Sequence, residues 1–132
     1  MEGLMPIGDP MGKWRYEEPP IPISGIHAAS LPVSDLDAAI AFYEEVLDLS
    51  LAARGEGWAA MACGGQRLML REKGSPGGDS GVYLSVPSIY DVHRQLVDRD
   101  ANILQPPLRG EDGLLLLLED DDRNVIRIVE SP

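Results

Sequence analysis

Two hydrophobic periods alternate along this chain, and they come in the same order twice. From Ile23 the run IHAASLPV reads as a short apolar strand. Ser34 or Asp35 then offers a helix N-cap, and Asp35 and Asp37 put acid in the first turn, where the helix dipole favours it. Leu36, Ala39, Ile40, Tyr43, Val46 and Leu47 follow at helical spacing and predict one apolar stripe. Three short strand-like runs come next, LSLAARG, GWAAMAC and QRLMLRE, separated by glycines. The segment KGSPGGDSG, dense in glycine and serine, reads as a linker.

The order then restarts. GVYLSVPS predicts a strand and Ser88 a helix cap. IYDVHRQLVDRD predicts a helix with Ile89, Val92, Leu96 and Val97 inward. NILQPPLRG, GLLLLLED and NVIRIVE give three more strands. Propensity alone would allow Leu114–Leu118 to be helical. The length of the run, the glycine in front and the acidic turn behind favour a strand. The halves also overlay residue by residue: Leu31 on Leu84, Val33 on Val86, Leu36 on Ile89 and Ala39 on Val92, each 53 positions apart (86 − 33 = 53). The chain is therefore expected to be α+β, with two tandem βαβββ units related by a pseudo-twofold. Unit one spans about 23–73, the linker 74–80 and unit two about 81–130, within one domain, 23–132. Residues 1–22 hold five of the eleven prolines and no hydrophobic period, so they read as an extended arm. Trp14 and Tyr16 either pin that arm to the body or to a second subunit, or the arm is a disordered tail.

Composition narrows the function classes. A chain of 132 residues is one domain's worth and can bury a core without staples. A net charge of −11 argues against nucleic acid and anionic membranes as partners. No apolar run approaches the ~20 residues of a membrane span. The first twenty residues lack a basic region followed by an apolar one, so a cytoplasmic protein is expected. The single cysteine, Cys63, excludes an internal disulfide framework and a multi-cysteine metal cluster, and is expected to act as a small buried hydrophobe.

HAASLPVSDLDAAIAFYEEVLDL resembles the opening of the vicinal oxygen chelate superfamily, which includes glyoxalase I, bleomycin-resistance proteins and extradiol dioxygenases. LLLLLEDDDRNVIRI is similar to that family's late segment, with its Asp-Pro-Asp-Gly-Asn turn. Asp120, Asp122 and Asn124 stand in place here, and the proline and glycine do not. The resemblance covers about residues 24–130 and implies that the two units form a cupped mixed sheet of the glyoxalase/bleomycin-resistance kind. It implies a homodimer as well.

The resemblance also implies where a metal would be held in members that use one: on the first and last strand of each unit. Counting back from Val33 gives Ala28, the repeat gives Gly81, and counting on from Asn124 gives Arg127, whose mate is Met69. None of these four is a good hard-metal ligand, and Arg127 would bring positive charge to the ion. His27 is one residue off and faces away unless the strand register is shifted. His93 falls mid-helix. No cofactor is therefore expected, and a divalent metal is disfavoured.

Strand alternation predicts what lines the cup instead: Ser30, Arg67, Met69, Arg71, Tyr83, Ser85 and Arg127, with Trp58 nearby. Arginines in an acidic protein suit a carboxylate, phosphate or enolate ligand. Arg67 and Arg71 could equally pair with surface acids at strand ends. Arg127, flanked by apolar residues, requires a partner, either an acid of the other half or a ligand. The leading expectation is a metal-free protein of the bleomycin-resistance kind that holds a small organic molecule, such as an antibiotic or an anionic metabolite, in the cup. The alternative is a lyase, isomerase or dioxygenase with a non-standard metal site or none, in which Arg127 steadies an enolate and Tyr83 or His27 moves a proton. A third reading is an interaction module that docks a partner through the arm.

Overall fold

The structure is a computed structural model that describes residues 5–8 and 14–131. At the N-terminus, β1 (Met5–Gly8) and β2 (Trp14–Glu17) pair antiparallel as a separate two-stranded sheet. The arm thus contains strands that the absence of a hydrophobic period did not suggest. The expectation that Trp14 and Tyr16 pin it rests on side chains outside those described.

The first unit runs β3 (Ala28–Pro32), α1 (Leu36–Glu45), β4 (Ser50–Gly55), β5 (Trp58–Cys63) and β6 (Gln66–Arg71). The second runs β7 (Gly78–Val86), α2 (Ile89–Asp98), β8 (Asn102–Gly110), β9 (Gly113–Glu119) and β10 (Asn124–Glu130). Each unit makes one mixed four-stranded sheet, in the orders β3-β6-β5-β4 and β7-β10-β9-β8. First and last strands run parallel, and the remaining neighbours antiparallel. This is the α+β pair of βαβββ units that the repeat predicts. β7 takes in Gly78–Ser80 from the segment read as linker, and the leucine run is a strand, β9.

The helices start by a shared device. Asp35 caps α1, its carboxylate accepting from the Ala38 N–H at 3.2 Å. Glu72, just past β6, accepts from the Leu36 N–H at 3.0 Å. In the second unit Glu130, at the end of β10, accepts from the Ile89 N–H at 3.1 Å, while Ser88 makes no side-chain cap bond. Each unit therefore ends on a glutamate that holds its own helix N-terminus, where the dipole favours negative charge.

Burial follows the period. Leu36, Ala39, Ile40, Phe42 and Tyr43 of α1 pack on Leu31, Ala59, Met61, Leu68 and Leu70. Ile89 and Leu96 of α2 pack on Leu116, Leu118 and Ile128. Val97, expected inward, is 55% exposed, because the narrow stripe of α2 ends at Leu96. The two cores interlock: Val82 and Ile126 of unit two join the first cluster, and Val46 and Leu47 of unit one pack against the second.

A buried polar knot ties the units at the turn before β10. Asp120 Oδ1 accepts from the N–H groups of Asp122 (2.9 Å) and Asn124 (2.8 Å), and Oδ2 accepts from the Tyr43 hydroxyl at 2.7 Å. Asn124 donates from Nδ2 to Pro32 O at 2.8 Å and accepts from the Gly77 N–H at 2.9 Å. Asp122 accepts from Ser34. Arg123 holds φ at +63°, a left-handed conformation in which glycine would be free of strain. These bonds satisfy Asp120 and Asn124 away from water, and no described buried side-chain polar atom lacks a partner.

Candidate functional site

Each sheet turns one face to its helix and leaves the other open. On β3, Ala29 packs against the first core, so Ala28 and Ser30 point to the open face. Register places Ala28 beside Arg67 and Ser30 beside Met69 on β6, with Trp58 of β5 beside Arg71. The Trp58 indole lies against Gly55 of β4, where an added Cβ would come within 2.2 Å of its Nε1. In the second unit Arg127 sits beside Tyr83 on one side and Leu117 on the other, and Val129 beside Ser85.

Arg127 is already partnered, and not from the other half. Its guanidinium pairs with Asp79 on the adjacent strand of the same unit and lies over the Tyr83 ring, 5.2 Å from the centroid. A bulge makes this possible. Between Val125 and Arg127 of β10 the facing strand advances from Asp79 to Tyr83, and Gly81, at φ +75°, accommodates the bend. The Ser80 hydroxyl donates to Val125 O at 2.6 Å, and Asp79 accepts from the Gly81 N–H at 2.9 Å. The Arg127 bond first, then the Gly81 N–H, hold the Asp79 carboxyl below its ordinary range, and the Asp79 bond raises Arg127 in turn. Asp79 is the site residue that the sequence reading missed. The signal was available: an arginine among apolar strand residues requires an acid, and GGDSG supplies one beside a glycine able to bulge.

Arg67 stands differently. Among the described residues it makes no ion pair and no side-chain hydrogen bond. It lines a cleft of about 720 Å³ at the seam between the sheets, with Gln66, Ser24, Gly81, Tyr83 and Ser85. The fold thus brings Arg67, Tyr83 and Ser85 to one cleft. Ser30, Met69, Arg71 and Trp58 lie outside its walls on the open face of unit one, and Arg127 lies one strand in from Tyr83.

The four positions to which the resemblance would assign a metal offer a methyl group, a thioether, no side chain and a guanidinium held by Asp79. That donor set does not fit a divalent ion. His27 lies just before β3, exposed, with its carbonyl accepting from the Arg67 N–H at 3.2 Å. His93 is half-buried on α2. Among the described residues no three His, Cys, Asp or Glu side chains gather where they could hold an ion. Cys63 is half-buried, and burial pushes its thiol up, away from the reactive thiolate. No described helix is long and apolar enough to cross a membrane.

Residues 25–128 match the family described as Glyoxalase/Bleomycin resistance protein/Dioxygenase superfamily. Among solved structures, TnmS3, an antibiotic binding protein from Streptomyces sp. CB03234, is similar at 26% identity, covering 85% of this chain and 99% of that one, with a TM-score of 0.74. A member of the same superfamily from Sphaerobacter thermophilus DSM 20745 is 22% identical over 84% of this chain and all of its own, with a TM-score of 0.72. A lactoylglutathione lyase from Agrobacterium tumefaciens is 20% identical over 84% of this chain and 96% of its own, also at 0.72. The last two likenesses show the fold alone. No curated protein matches the chain in sequence.

Proposed function

We propose that this chain, which belongs to the Glyoxalase/Bleomycin resistance protein/Dioxygenase superfamily, is a metal-independent binding protein that holds a small organic anion in the cleft beside Arg67. The observation that carries this reading is the cleft itself: an arginine with no acid among the described residues, in a protein of net charge −11, facing a void of about 720 Å³. Tyr83 offers an aromatic face and a hydroxyl there, and Ser85 a second hydroxyl. A guanidinium fork suits a carboxylate or phosphate. TnmS3, similar at 26% identity, is by its printed name an antibiotic binding protein, which favours binding over turnover. Arg127 supports the same side, since Asp79 occupies the guanidinium that a developing oxyanion would need.

The working form is a homodimer. Tyr83, Leu104 and Leu108 are each about half exposed, and Ile21, Ile23 and Ile26 are more exposed still, apolar side chains that a second copy would cover.

Elemental analysis of the purified protein, followed by a thermal-shift screen of organic anions, tests the reading. Stabilisation by carboxylates without stoichiometric metal, abolished by Arg67→Ala, is the expected result. Tight, stoichiometric zinc, nickel or iron would overturn it. Sedimentation at micromolar concentration tests the dimer, and a monomer there refutes it.

A further inference from the structure

Two cavities share lining residues at the seam between the sheets. One is the cleft around Arg67, walled by Arg67 and Tyr83 and also by the core-side Ala29, Leu68 and Val82. The other, about 300 Å³, lies on the helix side, where the C-terminal end of α1 approaches α2 and β7. Val46, Leu47, Leu84, Val92, Leu96 and Ile128 wall it. Cys63, Gly64, Leu84 and Ser85 border both cavities. The seam is open at this end for two reasons. β3 and β7 are edge strands of separate hydrogen-bonded sheets, so no ladder closes the gap. The residues beside it are small, with Ala29, Gly64, Gly65 and Gly81 offering little or no side chain to fill it.

The two cavities differ in their cations. The cleft presents a cation with no partner among the described residues. The helix-side cavity has one cation at its rim, Arg99, and that one is engaged: it pairs with Asp48 at 3.0 Å and donates to Val46 O at 2.9 Å. Asp48, Gln95 and Ser85 are the other polar side chains on its lining, and the rest of the wall is largely aliphatic. An anion gains beside Arg67, and methylene groups gain against the aliphatic wall of the other cavity.

We propose that the ligand is an amphipathic carboxylate. Its head sits on Arg67 in the cleft, and its aliphatic or aryl-aliphatic body crosses the seam into the cavity between α1 and α2. The inference rests on the cleft reading above and adds to it a second, apolar subsite. Neither cavity alone specifies this ligand. The Arg67 cleft by itself accounts for the anionic head, and the cavity by the helices for a longer aliphatic body.

The full chain is titrated with sodium butyrate and sodium decanoate by calorimetry, and the Val92 and Leu96 methyl resonances are followed by NMR. Decanoate should bind at least about a hundredfold more tightly than butyrate, the gain of six further methylenes leaving water less the ordering of the longer chain. It should shift the Val92 and Leu96 methyls, and butyrate should not. Val92→Trp, which fills the apolar cavity, should remove the advantage of the longer acid and leave butyrate binding unchanged. Arg67→Ala should weaken both acids. Equal affinities for the two acids would overturn the proposal and leave the cleft reading standing. So would a decanoate advantage without methyl shifts, a readout that needs no variant to fold. Failure of both acids to bind would overturn the cleft reading with it.

Discussion

Tyr43→Phe isolates the bond that joins the two units. Tyr43 is fully buried on α1, and its hydroxyl donates to Asp120 Oδ2 at 2.7 Å, across 77 residues of sequence. The substitution removes one oxygen, leaves the ring packed edge-on against Phe42, 5.0 Å away, and takes a donor from a carboxylate that is 6% exposed. Hydrogen bonds to charged groups contribute about 1.5–3 kcal/mol. Asp120 keeps three other donors, the N–H groups of Asp122 and Asn124 and Nδ2 of Asn124, so the loss belongs at the lower end, about 1.5–2 kcal/mol. Urea denaturation measures it as a lower midpoint at unchanged slope. The pH dependence supplies a second, independent signature. Burial first, then the Asp120 charge, push the Tyr43 hydroxyl far above its ordinary value of 10.0. The native state therefore keeps a proton that the unfolded chain loses above that pH. The stabilisation is complete below pH 10.0 and declines as pH rises past it, by about 1.4 kcal/mol per pH unit. Tyr43→Phe should lose that contribution to the alkaline slope. A neutral substitution, or an alkaline slope identical in both proteins, would refute the role given to this bond.

Three further outcomes follow from the same geometry. Arg123→Gly should stabilise the fold by about 1 kcal/mol, because Arg123 holds φ at +63° in the turn before β10; thermal unfolding checks it, and a loss of stability would mean that the arginine side chain compensates the strain. Glu72→Ala and Glu130→Ala should each cost about 0.5–1 kcal/mol, the two alike, since each glutamate accepts from the first N–H of its unit's helix; unequal losses in chemical denaturation would show that the caps are not equivalent. Asp79→Asn should release Arg127 and strengthen the binding of benzoate about fivefold near pH 7, read by calorimetry; no change would place Arg127 outside the ligand's reach.

Much of the molecule was legible along the chain because it rests on local spacing. The stripes of α1 and α2 follow from side chains three and four apart meeting on one face. The open faces of β3, β6 and β10 follow from the two-residue period of a strand, which is why Ala28, Ser30, Met69 and Arg127 could be placed on them from Val33, Asn124 and the repeat. The spacing of 53 residues between Leu36 and Ile89 gave the order of elements, and Asp35 the start of the first helix. Val97 went astray because a helix stripe has an edge that period alone does not mark.

Local spacing along the chain thus specifies the pair of βαβββ units, their helix starts and the residues on their open faces, together with a donor-poor set at Ala28, Met69, Gly81 and Arg127. Which partners those residues meet, among the described residues, depends on how distant strands come together. Asp79 reaches Arg127 only because β7 becomes the parallel neighbour of β10 and bulges at Gly81. Arg67 overlooks a cleft only because β3 and β7 remain edges of separate sheets. Periodicity records how a residue faces relative to its near neighbours. Partnership depends on which distant strand lies alongside and in what register, and a bulge of a few residues resets that register without altering the hydrophobic pattern.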